Sequence, residues 1–303
     1  MVPDIATLTH LIDDEVIRAL NIRTDSWLAD RIHSIIRPAT RRFSEIFAEV
    51  DAVVEQEGLP GGARLLLRKL GADFQARGVG NIPTAGPVII ASNHPGTVDS
   101  VALAASSQRR DLKIIAGPIQ FLQNCPNISR HVIYTADDNM QRRMVTVREC
   151  IRHLREGGAL LTFAHGTIDP DPDFMPTASQ ELHGWSRSLE IFLNRVPEAR
   201  VVVSIVSGVV DQRYMRNPLT LARHNRVDRQ RIAEMLQIIL QMLGRKMKIN
   251  PRVSFAESLD MQHIGDPDCA MDLISQGAQQ LLQSHMAWQT STPISGSLST
   301  SMR

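Results

Sequence analysis

The pair of residues in this chain best suited to moving a proton is His94 and Asp99, five positions apart in the stretch GPVIIASNHPGTVDS at 86–100. Residues 87–91 form a short, continuous apolar run, which suits a strand buried on both faces of a parallel sheet. Ser92-Asn93-His94-Pro95-Gly96 has strong turn chemistry. Residues 98–106, rich in Ala, Val and Leu, predict a helix. His94 is therefore expected just beyond a strand end, where open α/β sheets bind ligands, with Asp99 in the first turn of the next helix. A carboxylate beside an imidazole fixes its tautomer and ring angle and so builds an oriented general base. The same residues also make an ordinary turn, with Asp99 favouring a helix N-terminus. On this stretch alone both readings stand.

His165 raises a second chemistry. With His94, Asp99 and Asp169 it forms a set of metal-capable side chains at adjacent strand ends. A hydrolase using metal-bound water would need three or four such ligands converging on one point. The chain carries no recognised metal signature, and no metal is assigned. Asp169, Asp171 and Asp173 alternate with prolines and read as a solvated loop, because no EF-hand spacing follows. Trp27 and Trp185 read as packing residues.

The elements that must position these groups follow from the rest of the chain. Its 303 residues accommodate two modest domains or one larger α/β domain with an added segment. Apolar residues make up 43% and charged residues 21%, ordinary for a globular protein, and a net charge of +1 gives no global pull toward nucleic acid. Local basic groups such as Arg109, Arg110 and Lys113 read as solvated faces. The three cysteines, Cys125, Cys150 and Cys269, lack C-x-x-C spacing, so neither a disulfide framework nor a thiolate zinc site is indicated. No apolar run approaches the ~20 residues needed to cross a bilayer. The first residues lack a signal-peptide pattern. The expected location is cytoplasmic, with at most a peripheral contact at a membrane.

Residues 4–77 read as helical throughout, with four apolar stripes separated by breaks at Pro38 and at 58–62. Asp25 and Ser26 offer a cap for the second helix. From about residue 78 strands and helices alternate. Strands are expected near 112–115, 131–134, 159–163, 201–206 and 252–255. Helices are expected through Met140 to Leu154, over 186–195, through Ile232 to Leu243, and through Leu273 to Leu282. The class is α/β, a mixed, largely parallel sheet flanked by helices and preceded by an N-terminal helical bundle. The expected units are a bundle at 1–77, a catalytic domain at 78–288, and a disordered Ser/Thr-rich tail at 289–303.

Several pieces now line up in order. NHPGTVD at 93–99 resembles the H-x-x-x-x-D motif of the glycerolipid acyltransferases, the family of glycerol-3-phosphate and lysophosphatidic acid acyltransferases. GVGNIPTAGPVIIASNH resembles the usual approach to that motif. FAHGT at 163–167 sits where the family carries F-P-E-G-T, and 201–207 falls where its last block, a buried strand, is expected. The resemblance covers roughly 75–210. It implies an acyltransferase that moves a fatty acyl group from an acyl thioester, acyl-CoA or acyl carrier protein, to a hydroxyl of a lipid-precursor acceptor. His94 would be the general base and Asp99 its orienting carboxylate, with no cofactor beyond the thioester co-substrate. Asn93, Gly96, Thr97, His165, Gly166, Thr167 and Arg187 would line the substrate site, and a backbone N–H near Gly96 or Gly166 would meet the oxyanion. Three positions depart from the family. Ala164 stands where the family has Pro, His165 where it has Glu, and Thr135 or Ala136 near its phosphate-contacting Arg. The departures imply an acceptor other than glycerol phosphate, a different alcohol or an amine, with Arg130, Arg142 or Arg187 as alternative anion contacts. A non-catalytic lipid-binding or scaffold protein on the same fold is the remaining alternative.

Overall fold

The structure, a computed structural model, describes residues 3–135, 140–185, 188–245, 249–260 and 270–291. Seven strands form one sheet: β1 (Gln75–Arg77), β2 (Val88–Ser92), β3 (Lys113–Ala116), β4 (Val132–Tyr134), β5 (Ala159–Phe163), β6 (Arg200–Ser207) and β7 (Arg252–Phe255). Their order is β1-β7-β6-β2-β5-β3-β4. All neighbours are parallel except β6 and β7. β2 lies at the centre, with Val88 opposite Ala159 on one side and Arg200 on the other.

Side chains alternate across a strand, so each central strand feeds two cores. Val88 and Ile90 face one hydrophobic cluster, together with Leu161, Val202 and Val206. Ile89 and Ala91 face the other, with Leu160, Val201, Val203 and Ile205. All are essentially fully buried, which is why these strands read as continuous apolar runs rather than alternating ones. Helices α1 (Ile5–Ala19), α2 (Trp27–Lys69) and α3 (Thr97–Ser106), with helix Arg226–Met242, contribute to the first cluster. Helices Met140–Arg155, Ser188–Arg195 and Ala270–Ser291 contribute to the second. The fold class expected from the sequence is the one observed.

The N-terminal region differs in detail from expectation. It holds α1 and an α2 that a kink at Gly58 divides in two, three helices rather than four, so the expected break at 58–62 is present and the one at Pro38 is not, and its last residues form edge strand β1. Pro38 does not break α2. The proline removes one backbone bond, but Ile36, Ala39, Ile46 and Phe47 around it are buried, and that packing outweighs the local signal. The real interruption is at Gly58, whose φ of 73° is left-handed. Pro60 follows in the first turn beyond it, where an N–H would have no helical partner. Ser26 caps α2 as expected, its hydroxyl accepting from Ala29 N–H at 3.2 Å. Trp27 is not a packing residue. It opens the first turn with 75% of its surface exposed, whereas Trp185 is buried in the second core. Arg109 is also not solvated. Buried at the edge away from the strand C-termini, it pairs with Asp111 at 2.7 Å and donates to the carbonyls of Pro83, Gly86 and Gly157. No helix among the described residues is long and apolar enough to cross a membrane. The last helix runs to Ser291, so the expected tail from 289 begins in helix and its remainder lies outside the described residues.

Candidate active site

β2, β5 and β6 are parallel neighbours, so the loops leaving their C-terminal ends meet at one edge of the sheet. His94 is on the first loop, His165 and Asp169 on the second, and the turn at 208–211 on the third. Asn93 ties the first loop to β6: its amide donates to Val206 O at 2.9 Å and accepts from Val206 N–H at 2.8 Å. With both amide atoms engaged and the residue 2% exposed, Asn93 acts here as a brace, not as a group open to substrate.

His94 Nδ1 lies 2.9 Å from Asp99 Oδ2, and Asp99 is fully buried while 27% of the His94 side chain is exposed. Asp99 does two jobs. As the third residue of α3 it also accepts the backbone N–H groups of Gly96, at 2.9 Å, and Ser100, completing the helix cap. The His94 ring stacks on Phe163 at the end of β5, centroids 4.1 Å apart. Burial works to lower the pKa of His94. The adjacent Asp99 charge and hydrogen bond, with the charges of Glu234 and Asp169, more than offset it, and the net direction is upward.

A second imidazole–carboxylate pair stands beside the first. His165 Nδ1 is 2.5 Å from Asp169 Oδ1, and its Nε2 faces Glu181 Oε2 at 3.5 Å. Asp169 joins the two loops, because its Oδ2 accepts His94 N–H at 2.7 Å and its own N–H donates to His94 O at 2.7 Å. Burial raises its pKa, opposed by the His94 N–H and by His165. Asp171, expected in a solvated loop, is fully buried instead. It collects the N–H groups of Asp173, Gly208, Val209 and Val210 at 2.9–3.2 Å and so ties the second loop to the third. Burial still raises its carboxyl to about 6. The alternation of Asp and Pro does mark a loop, but the loop is folded over an anion-accepting nest of amides. Among the described residues, no group of three or more His, Cys, Asp or Glu is arranged to hold a metal ion.

The amides of Gly96 and Gly166 are both occupied, by Asp99 Oδ2 and by Phe163 O at 3.1 Å. Neither N–H is thus aimed at a bound oxyanion, contrary to the expectation from sequence. Gly166 has a φ of 75° and is exposed beside Thr167, where it forms the turn that leads β5 into the second loop. Arg130 sits at the amino end of β4, on the opposite edge of the sheet, and donates to Asn127. Arg187, Ala136 and the side chain of Arg142 lie outside the described residues; Thr135 caps the end of β3 by donating to Ala116 O.

The residue that sequence reasoning missed is Glu234. Only 4% exposed, it reaches the first loop from helix Arg226–Met242 and accepts Thr97 N–H at 2.7 Å, with its other oxygen 3.3 Å from the Thr97 hydroxyl. Burial first, then the nearby Asp99 charge, pushes its carboxyl up to about 8. A Cβ placed on Gly96 would sit 1.6 Å from Glu234 Oε1. The backbone of Gly96 is extended, so glycine is required for space and not for conformation. Gly96→Ala is therefore expected to expel the Glu234 carboxyl. The cost is about 1–3 kcal/mol of overpacking, read by thermal unfolding, together with lost turnover.

A sequence model of the Acyltransferase family matches residues 73–183, the segment that carries His94, Asp99, His165 and Asp169. No curated protein matches the chain. Among solved structures, the 1-acyl-sn-glycerophosphate (LPA) acyltransferase PlsC from Thermotoga maritima is similar at 14% identity, with a TM-score of 0.46 and 82% of each chain covered.

Proposed function

We propose, on the premise that residues 73–183 are a domain of the acyltransferase family, that the protein transfers a fatty acyl group from an acyl thioester to a hydroxyl of a lipid-precursor acceptor. The donor is acyl-CoA or acyl carrier protein. The observation that carries this reading is the His94–Asp99 pair, a fully buried carboxylate 2.9 Å from a ring whose other edge is exposed where three loops meet. With Nδ1–H held by Asp99, Nε2 is the basic nitrogen left to meet the acceptor. It takes the acceptor's proton as the oxygen attacks the thioester carbonyl. The tetrahedral intermediate collapses, the C–S bond breaks, and the proton passes from the imidazolium to the departing thiolate. The net change is one C–O bond for one C–S bond and one proton moved from alcohol to thiol. Asp99 stabilises the imidazolium between the two transfers.

His165, with Asp169 on one nitrogen and Glu181 facing the other, offers a hydrogen-bonding wall for the acceptor rather than a family-type Glu. This supports an acceptor other than glycerol phosphate. The test is a panel of acceptors (glycerol-3-phosphate, lysophospholipids, neutral alcohols and amines) offered with radiolabelled acyl-CoA and then acyl carrier protein. Labelled product from one acceptor class is expected. No transfer from either donor to any of them would favour a lipid-binding or scaffold role.

The pH dependence follows from the site. Base catalysis needs neutral His94, and its pKa is raised. Plotted against pH, kcat/KM is therefore expected to rise through an apparent pKa above the ordinary imidazole value of about 6.5. An acid limb below that value would mean that another group titrates.

A further inference from the structure

Helix Arg226–Met242 presents a polar stripe to the site. Arg226, Gln230, Glu234 and Gln237 are spaced by 4, 4 and 3 residues and so share one face. Each holds a different part of the three reacting loops. Arg226 donates to Ile168 O at 2.9 Å. Gln230 donates to Pro95 O and to Asp169 O, the latter at 2.8 Å. Glu234 holds the amide and hydroxyl of Thr97. Gln237 accepts Asp211 N–H at 2.8 Å and donates to Val209 O at 3.0 Å. Gln230, Glu234 and Gln237 are all 4% exposed or less. Buried polar side chains on an amphipathic helix are costly unless fully bonded, and these are spent on backbone groups of loops after β2, β5 and β6.

We propose that this helix is the clamp that sets the geometry of the His94–Asp99 pair, with Glu234 its principal positioning residue. Glu234 touches neither reacting atom. It fixes Thr97, and through Thr97 the turn that runs from His94 to Asp99. Gln230 fixes Pro95 inside the same turn and Asp169 on the neighbouring loop, so two residues one helical turn apart pin both sides of the imidazole. Glu234 accepts the Thr97 N–H on Oε1 and the Thr97 hydroxyl on Oε2. Glutamine keeps an oxygen for the N–H and sets its NH₂ against the hydroxyl, which then accepts instead of donating. Alanine presents neither.

The role rests on the acyl-transfer reading, so the test has one readout that depends on turnover and one that does not. Glu234→Ala and Glu234→Gln are compared with wild type by steady-state acyl transfer and by imidazole ¹⁵N NMR, with the His94 signal assigned from His94→Ala. Glu234→Ala is expected to lower kcat by about 10²-fold, the scale of a roughly 1 Å misplacement, with KM nearly unchanged. It is also expected to lose the single-tautomer His94 signature, and Glu234→Gln is expected to restore both. Wild-type kcat and an unaltered His94 spectrum in Glu234→Ala would overturn the clamp, as would a glutamine variant as damaged as the alanine one. Where Glu234→Ala fails to fold, Glu234→Gln decides: near-native kcat and spectrum support the clamp, and a loss of about tenfold or more overturns it. A wild type that transfers no acyl group would fell the acyltransferase reading, while the His94 spectrum would still decide the clamp.

Discussion

His94→Ala is expected to cut acyl transfer by roughly 10²–10⁴-fold, the usual contribution of a positioned general base, with the fold retained. The fold should survive because the backbone of His94, not its ring, makes the structural contacts. Its N–H and C=O pair with Asp169 whatever the side chain. Asp99 keeps the Gly96 and Ser100 amides as partners after the ring is gone. Steady-state rates with an acyl thioester, and thermal unfolding on the same preparation, check both halves of the prediction. Unchanged turnover would remove His94 from the chemistry, and the scaffold reading would then require that wild type also fails to transfer.

Asp99→Asn is expected to produce a loss of similar size by a different route. Asp99 Oδ2 serves both Gly96 N–H and His94 Nδ1 while Oδ1 takes Ser100 N–H, so an asparagine that keeps its oxygen on Ser100 turns its NH₂ toward His94 Nδ1 and gives up the Gly96 amide. The ring must then carry its proton on Nε2, the wrong nitrogen to accept one from the acceptor. The equivalent change in serine-protease triads costs roughly 10⁴ in kcat. With the Ser100 amide kept and the Gly96 amide lost, a stability cost of about 1 kcal/mol is expected. Asp99→Ala differs there, leaving the Gly96 and Ser100 amides without their carboxylate at a cost of about 1–3 kcal/mol. A full kinetic defect in Asp99→Asn with a smaller loss of melting temperature than in Asp99→Ala would separate orientation from capping. Equal kinetics in wild type and Asp99→Asn would contradict the orienting role.

What was legible in the sequence was what local chemistry fixes. β2, β5 and β6 are buried on both faces, and such strands announce themselves as unbroken apolar runs ended by turn residues. His94 and Asp99 lie on the two sides of one strand-to-helix turn, so their approach is set by five residues of chain. The remainder depends on contacts between distant segments. Glu234 and Gln230 lie more than 130 residues from the turn they hold. The apolar positions Ile232, Met235, Leu236 and Ile239 give their helix its period and say nothing of what the polar residues between them meet. In the structure Leu243 is exposed and Gln230, Glu234 and Gln237 are buried. A polar stripe repeating at 4, 4 and 3 residues was the available signal. Asp171 was misread for a related reason: nothing within its own loop shows that the amides of 208–210 arrive from the end of β6 to receive it. Strand β1 is three residues long and, among the described residues, pairs only with β7, too short to leave a periodic trace. Pro38 shows the converse, a clear local breaker overruled by burial around it.

Direct transfer, with no acyl group resting on the protein, is the central claim, and one single-turnover experiment tests it most closely. Enzyme in excess is mixed with a thioester labelled in its acyl chain, with and without the acceptor found by the panel, and quenched in denaturant. The expected result is thiol release equal to acylated acceptor, dependent on that acceptor and absent in His94→Ala, with no label on the denatured protein. Label retained on the protein, or thiol released at the same rate without acceptor, would contradict it.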